Sequence, residues 1–251
     1  MEKRIKELRS QLEAVGLTRK TNFFSLNKEQ LSAETLSWTI KEYSALSNSA
    51  IHLLMDSAVR VHDWEKLKNE VLENINEEMG LETKKVPHLE MMRIGYMKEL
   101  GIITDEVIPS DVTKSFLNHI TKVFKHNDNA FQAGALLALE GSAVEEFHIM
   151  DEIIQEYAKK SKLDFQKNWL TNLYIDGHKT FEIGHEQHLL DAMLPYITEE
   201  NFSKFELGYS IVVKLFSTWW QQLSLETEVF QLNRKIATIN TEEPDLHKVF
   251  A

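Results

Sequence analysis

Residues 130–144 read AFQAGALLALEGSAV, and this stretch decides the fold class. Fifteen residues here carry one charge, Glu140, and one other strongly polar side chain, Gln132. Leu, Ala and Gln favour helix, and a helix that is apolar nearly all round is buried. A buried central helix needs other helices around it. The flanking sequence supplies them as long runs of helical periodicity, while alternating β-branched runs are scarce. The spacing predicts helices at about 2–15, 30–61, 63–79, 88–100, 110–126, 128–159, 164–193 and 199–235. Ser32, Asp63, Ser110 and Thr198 are the expected N-caps. Gly80 and Gly101 are the expected C-terminal stops. The expectation is one all-α domain over 1–251. Within it, 1–20 is a helical appendage, about 30–235 a bundle, and 236–251 a loosely ordered tail.

Composition bounds the chemistry. The chain has 251 residues, 43% of them hydrophobic, which is enough for a sizeable core. It has no Cys, so disulfides, zinc–thiolate sites, Cys-ligated clusters and Cys nucleophiles are excluded. Any metal must be held by His, Asp or Glu. The net charge is −11, from 28 Lys+Arg against 39 Asp+Glu, and there is no basic tract. Nucleic acid and anionic membranes are therefore not expected partners. No apolar run reaches the roughly 18 residues of a membrane span, and the charged N-terminus is no signal peptide. A cytoplasmic protein is expected.

Several polar residues fall where the pattern wants apolar ones. In the helix at 63–79, steps of seven from Trp64 give Val71 and then Glu78, so Glu78 faces the core while Glu77 falls to the side. Such a carboxylate needs a partner or a cation, unless the helix end lets it reach water. His88, after Pro87, starts the next helix and can converge with Glu78. It can equally serve as an exposed or hydrogen-bonded helix-start residue. Glu140 has no Lys or Arg within a turn or two. Its positive partner is a metal, or an ion pair from another helix.

Residues 174–188 read YIDGHKTFEIGHEQH. His178, Glu182 and His185 are spaced i, i+4, i+7, within about 60° of arc on one helical face. Two imidazoles and a carboxylate pointing one way suit a divalent first-row metal, the other reading being a solvated polar stripe. Gly177 and Gly184 in this helix call for a close neighbour or ligand. The segment HEQH is not the HExxH of zinc proteases, and no nucleotide loop or GxSxG elbow occurs. Glu145 and His148 form a second ExxH beside Glu182–His185, which opens a ferritin-like alternative. The helix order that fold requires is not met.

The ordered set Glu78, His88, Glu140, His178-x3-Glu182-x2-His185 resembles the haem-oxygenase-like di-iron oxidases and oxygenases, over about residues 30–230. That family usually has Asp where this chain has Glu182. The resemblance implies a haem-oxygenase-like bundle of about seven helices. Two iron ions would share Glu78, His88, Glu140, His178, Glu182 and His185, with O2 as co-substrate. It also implies a small-molecule substrate, most often an amino acid or a derivative, aromatic ones among them, and oxidative C–C or C–N chemistry such as cleavage, decarboxylation or nitrile formation. It implies a homodimer. A further carboxylate from the first core helix, Glu42 or Asp56, is an option. A thiaminase-type relative would need Cys. A haem oxygenase would use a His such as His52 and leave the six residues unexplained. Lys98, Lys179 and Lys214 are candidate anchors for a substrate carboxylate. Tyr209, Phe216, Trp219 and Trp220 are read as core or dimer packing, with pocket lining as the alternative. A non-catalytic helical interaction domain with buried ion pairs is the reading from outside enzymology.

Overall fold

The computed structural model describes residues 1–14, 26–81, 86–166 and 169–241. Among them every regular element is a helix: α1 (Glu2–Ala14), α2 (Ala33–Arg60), α3 (Glu65–Glu78), α4 (His88–Gly95), α5 (Asp111–Phe124), α6 (Asn129–Lys160), α7 (Leu170–Met193) and α8 (Phe202–Thr241). The all-α architecture is the one the sequence predicts. None of these helices is long and apolar enough to cross a membrane. Residues 242–251, the rest of the expected tail, lie outside the described residues, and α8 runs five residues beyond 236.

Helix α6 is the axis of the bundle. Its most extensive neighbours are α8, then α7, then α2. Ala133, Ala135, Leu136, Leu137 and Ala138 have no solvent exposure, as an all-apolar helix demands. Gly134 and Gly208 explain how closely α6 and α8 approach. A Cβ at Gly134 would lie 1.9 Å from the Phe205 carbonyl oxygen, and one at Gly208 would lie 2.0 Å from that of Phe131. Each glycine receives the backbone of the opposite helix. Helix α1 packs on α8 through buried Ile5 and Leu8, with Arg4 over the Phe202 ring.

Helix starts are fixed by side-chain oxygens, several of them from distant elements. Ser32 and Ser110 cap α2 and α5 by accepting from the Thr35 and Thr113 amides. The expected caps at Asp63 and Thr198 are corrected. Helix α3 starts at Glu65 after Trp64, which makes no side-chain cap, and α8 starts at Phe202. Glu42, on α2, accepts from the Ser110 amide with both oxygens, at 2.9 and 3.2 Å. Glu99 accepts from the Leu170 and Thr171 amides at 2.8 and 2.9 Å and so anchors the start of α7. Both carboxylates serve helix N-termini, where orphan N–H groups and the dipole favour negative charge. Gly80 follows the end of α3, and Gly101 caps a π-helical turn, Tyr96–Leu100, that continues α4; both adopt positive φ, 100° and 71°, as expected of helix stops.

Asp128 caps α6 through the Phe131 amide at 3.1 Å and pairs with Lys204 of α8 at 2.6 Å. Burial works to raise its carboxyl, but the bonds from Lys204 and from the Phe131 and Ala130 amides outweigh it and hold it below the usual range. A depressed carboxyl contributes stability that is present above its unfolded value and lost as pH falls towards the folded one. Asp128→Ala is expected to cost about 1 kcal/mol at pH 7, the usual worth of an N-cap. The deficit should shrink below pH 4, as read by urea denaturation across pH.

Candidate metal centre

Three side chains from three helices converge. Glu78 ends α3, His88 begins α4, and His178 lies about two turns into α7, past its Glu99 anchor. Glu78 Oε1 is 3.2 Å from His88 Nδ1 and 3.4 Å from His178 Nε2. One donor atom from each residue lies within 4.8 Å of the other two. Local sequence explains the meeting. Gly80 turns the chain sharply after α3, and a Cβ there would lie 2.6 Å from the Val86 backbone. Val86 and Pro87 are thereby pressed against the end of α3, and Pro87 delivers His88 directly.

His178 is locked. Its Nδ1–H donates to the Tyr174 carbonyl at 2.7 Å, which leaves Nε2 to face Glu78. Its ring stacks on Phe147 at 4.3 Å and meets the edge of His88 at 4.9 Å. An imidazole pinned at one nitrogen with the other presented inward is the usual arrangement of a metal ligand. Burial works to raise the Glu78 carboxyl, but without a metal the doubly protonated, charged forms of His178 and His88 can donate to it and outweigh burial. The group is held well below the usual carboxylate range.

A cavity of about 90 Å³ adjoins this cluster. Glu78, Glu140, Glu146, His178 and His185 supply its charged and imidazole lining. Glu140 and Glu146 are 6% and 1% exposed. Tyr43, Ser47 and Tyr174 add hydroxyls, and Leu54, Leu139, Phe147 and Phe216 are among the apolar walls. No Lys or Arg is among these lining residues, so the cavity is complementary to cations. His185 lies two turns beyond His178. Its Nε2 contacts Glu77, and its Nδ1 is 3.9 Å from Glu140. Glu182 lies on α7 between the two His, but its side chain is outside the described residues.

Some expected residues are not brought here. Glu42 is engaged at the start of α5, and Asp56, half-buried on α2, does not line the cavity. His52 is exposed. Glu145 and His148 do not line the cavity, while their neighbours Glu146 and Phe147 do. Of the late aromatic residues, Phe216 reaches the cavity, whereas Tyr209, Trp219 and Trp220 are core. Lys98 and Lys214 are exposed, and Lys179 is bonded to Asp151 and Asp176 at 2.7 and 2.6 Å. A Cβ at Gly184 would meet nothing within 4 Å among the described residues.

Sequence reasoning missed two carboxylates. Glu77 falls beside the core stripe of α3, yet α7 crosses there and His185 reaches it. Glu146 was legible, because steps of three from Glu140 pass through Ala143 to Glu146, all three lining the cavity.

The chain matches, over residues 2–226, a family described as a domain of unknown function with a solved structure, DUF3865. No curated protein matches the chain. Among solved structures, a CADD-like protein of unknown function from Nostoc punctiforme PCC 73102 superposes with a TM-score of 0.81 at 22% identity. That match covers 89% of this chain and 96% of the other. A second structure described in the same terms gives 0.78 at 20% identity, covering 89% and 94%. A TenA homologue from Pyrococcus furiosus gives 0.61 at 16% identity, covering 87% and 98%. These likenesses show the fold, a helical bundle of the kind shared by CADD-like and TenA-like proteins.

Proposed function

We propose, taking as premise that the chain belongs to the DUF3865 family, that it is a non-haem di-iron oxidase or oxygenase acting on a small molecule. The observation that carries this reading is the convergence of Glu78, His88 and His178 beside a cavity lined by further carboxylates. The donor set fits iron: carboxylate oxygens and imidazole nitrogens suit ferrous and ferric ions without thiolate. Glu78, His88 and His178 would hold one ion. Glu140 and His185 would hold the second, with Glu182 joining them by the family resemblance. Six such ligands carry a charge of −3, which nearly offsets two ferrous ions.

Iron in such a site supplies the activation of O2 for oxidation of a bound substrate. The protein's own part is positioning and exclusion. The Tyr174 carbonyl fixes the His178 tautomer, and the Phe147 ring fixes its plane. Leu54, Leu139, Phe147 and Phe216 give the cavity apolar walls against which a bound substrate would displace water, and that strengthens electrostatic contacts inside it. Tyr43, Ser47 and Tyr174 offer hydroxyls to a polar substrate. The substrate class we propose is an amino acid or a derivative, oxidised at a C–C or C–N bond. Its ammonium would face the lining carboxylates. Among the described residues no Lys or Arg lines the cavity to hold its carboxylate. A homodimer forms part of the same reading.

The test is O2 uptake by protein loaded anaerobically with ferrous iron, run with an amino-acid panel. Wild type and His148→Ala are expected to bind iron and consume O2 alike. Loss of iron in His148→Ala would favour the ferritin-like arrangement instead. Iron-free, inert wild type would leave a helical interaction domain.

A further inference from the structure

The last turns of α8 carry an apolar stripe that the bundle does not use. Leu225, Val229, Leu232 and Ile236 keep 63, 55, 57 and 55% of their surface exposed. Their spacing is i, i+4, i+7, i+11, which places them within about 60° of arc along roughly 18 Å of helix. The opposite face of the same segment is the one that packs. Thr227 is buried, Phe230 stacks on Trp38 of α2, and Gln231 accepts from the Ser32 amide and the Thr35 hydroxyl. Beyond Gln231, residues 232–237 are exposed all round. Immediately upstream, the direction of the stripe is polar, with Lys214, Thr218 and Gln221 exposed. The apolar run is thus confined to the part of α8 that leaves the bundle.

Alternating steps of four and three make the seam of a coiled coil, whose apolar residues interlock with those of a second helix. The charges beside the seam say which helix. Glu228 and Lys235 flank the stripe on one side, and both are exposed, while Glu226 flanks it on the other. We infer that the α8 stripe is an interface between two copies of this chain, packed antiparallel about a two-fold axis between Val229 and Leu232. Val229 then meets the partner's Leu232, Leu225 meets the partner's Ile236, and like flanks of the two helices face each other. Glu228 lies against the partner's Lys235, and the symmetry forms that pair twice. Parallel packing would instead set Glu228 beside the partner's Glu226, a like-charge contact that costs stability. Such a patch is self-complementary, as a two-fold interface requires. A seam of about three turns is small beside a standard interface, so the dimer is expected to dissociate on dilution. The inference rests on the reading above only for the homodimer, whose surface it names. None of the four stripe residues lines the cavity.

The test is sedimentation equilibrium of the full chain across a dilution series, with folding followed by circular dichroism. Wild type is expected to be a dimer that dissociates on dilution. Leu232→Glu changes an exposed side chain, so its circular dichroism should match wild type. Its dimerisation should weaken by more than about 100-fold, because two leucines per dimer lose their cover. Glu228→Lys and Lys235→Glu should each weaken self-association, by up to about 10-fold, as two opposite-charge pairs become like-charge ones. Mixed together, these two variants should associate as wild type does, since each supplies the charge the other lacks. Stronger self-association of Glu228→Lys would overturn the antiparallel arrangement, because only parallel packing brings that residue to Glu226. A Leu232→Glu protein as dimeric as wild type would overturn this surface and leave the homodimer standing. A wild type that stays monomeric throughout would overturn both.

Discussion

His178→Ala is expected to lower the affinity of the first ion by more than about 100-fold, beyond the effect of losing an outer partner. The residue is the hub of the cluster. Its Nε2 is 3.4 Å from Glu78, its Nδ1 is spent on the Tyr174 carbonyl, and its ring packs on Phe147 and His88. The metal-free protein should also respond. Glu78 is held low against burial by His178 and His88. Its contribution to stability is present above the ordinary carboxylate range and lost as pH falls below it. Removing His178 takes away part of that contribution, so the variant should lose stability at pH 7 and less of it on acidification. Isothermal titration with Mn(II) measures the first effect, and denaturation at pH 7 and pH 3 the second. Wild-type affinity in the variant would exclude His178 as a ligand.

Gly208→Ala is expected to destabilise the bundle by about 3 kcal/mol, at the upper end of overpacking costs. The added Cβ would lie 2.0 Å from the Phe131 carbonyl oxygen, which is backbone of α6 and cannot rotate away. Helices α6 and α8 must separate, and theirs is the most extensive contact in the fold. For a chain of this size the cost corresponds to a Tm lower by roughly 6–12 °C. Gly134→Ala should behave alike, since its Cβ would meet the Phe205 carbonyl oxygen at 1.9 Å. Gly184→Ala is the internal control. Nothing lies within 4 Å of its Cβ, so the helix should gain up to about 1 kcal/mol. Equal Tm values for Gly208→Ala and wild type by calorimetry would show that α6 and α8 do not cross there.

Much of the fold was legible because helix formation is mainly local. The apolar run at 130–144 named the central helix, and positive-φ glycines at 80 and 101 marked two ends. Caps were legible where the capping oxygen is three residues from its amide, as at Ser32 and Ser110. They were not legible where the oxygen comes from another helix. Glu99 holds the start of α7 across 71 positions, and Glu42 holds Ser110 across 68. No periodicity encodes such partners. The site divides in the same way. The α7 stripe follows from spacing alone, and Glu78 and Glu140 stand out as charges on core-facing positions. Glu77 does not, because its contact with His185 depends on where α7 crosses α3. Of the two reasons the sequence offers for Gly184, a close neighbour or a ligand, the first is not met among the described residues.

On the proposal made above, these helices hold two ions with carboxylates and imidazoles. The direct test is metal analysis of protein loaded anaerobically with ferrous iron and freed of excess. About two irons per chain are expected, with O2 consumption when air is admitted. No retained iron would contradict the proposal.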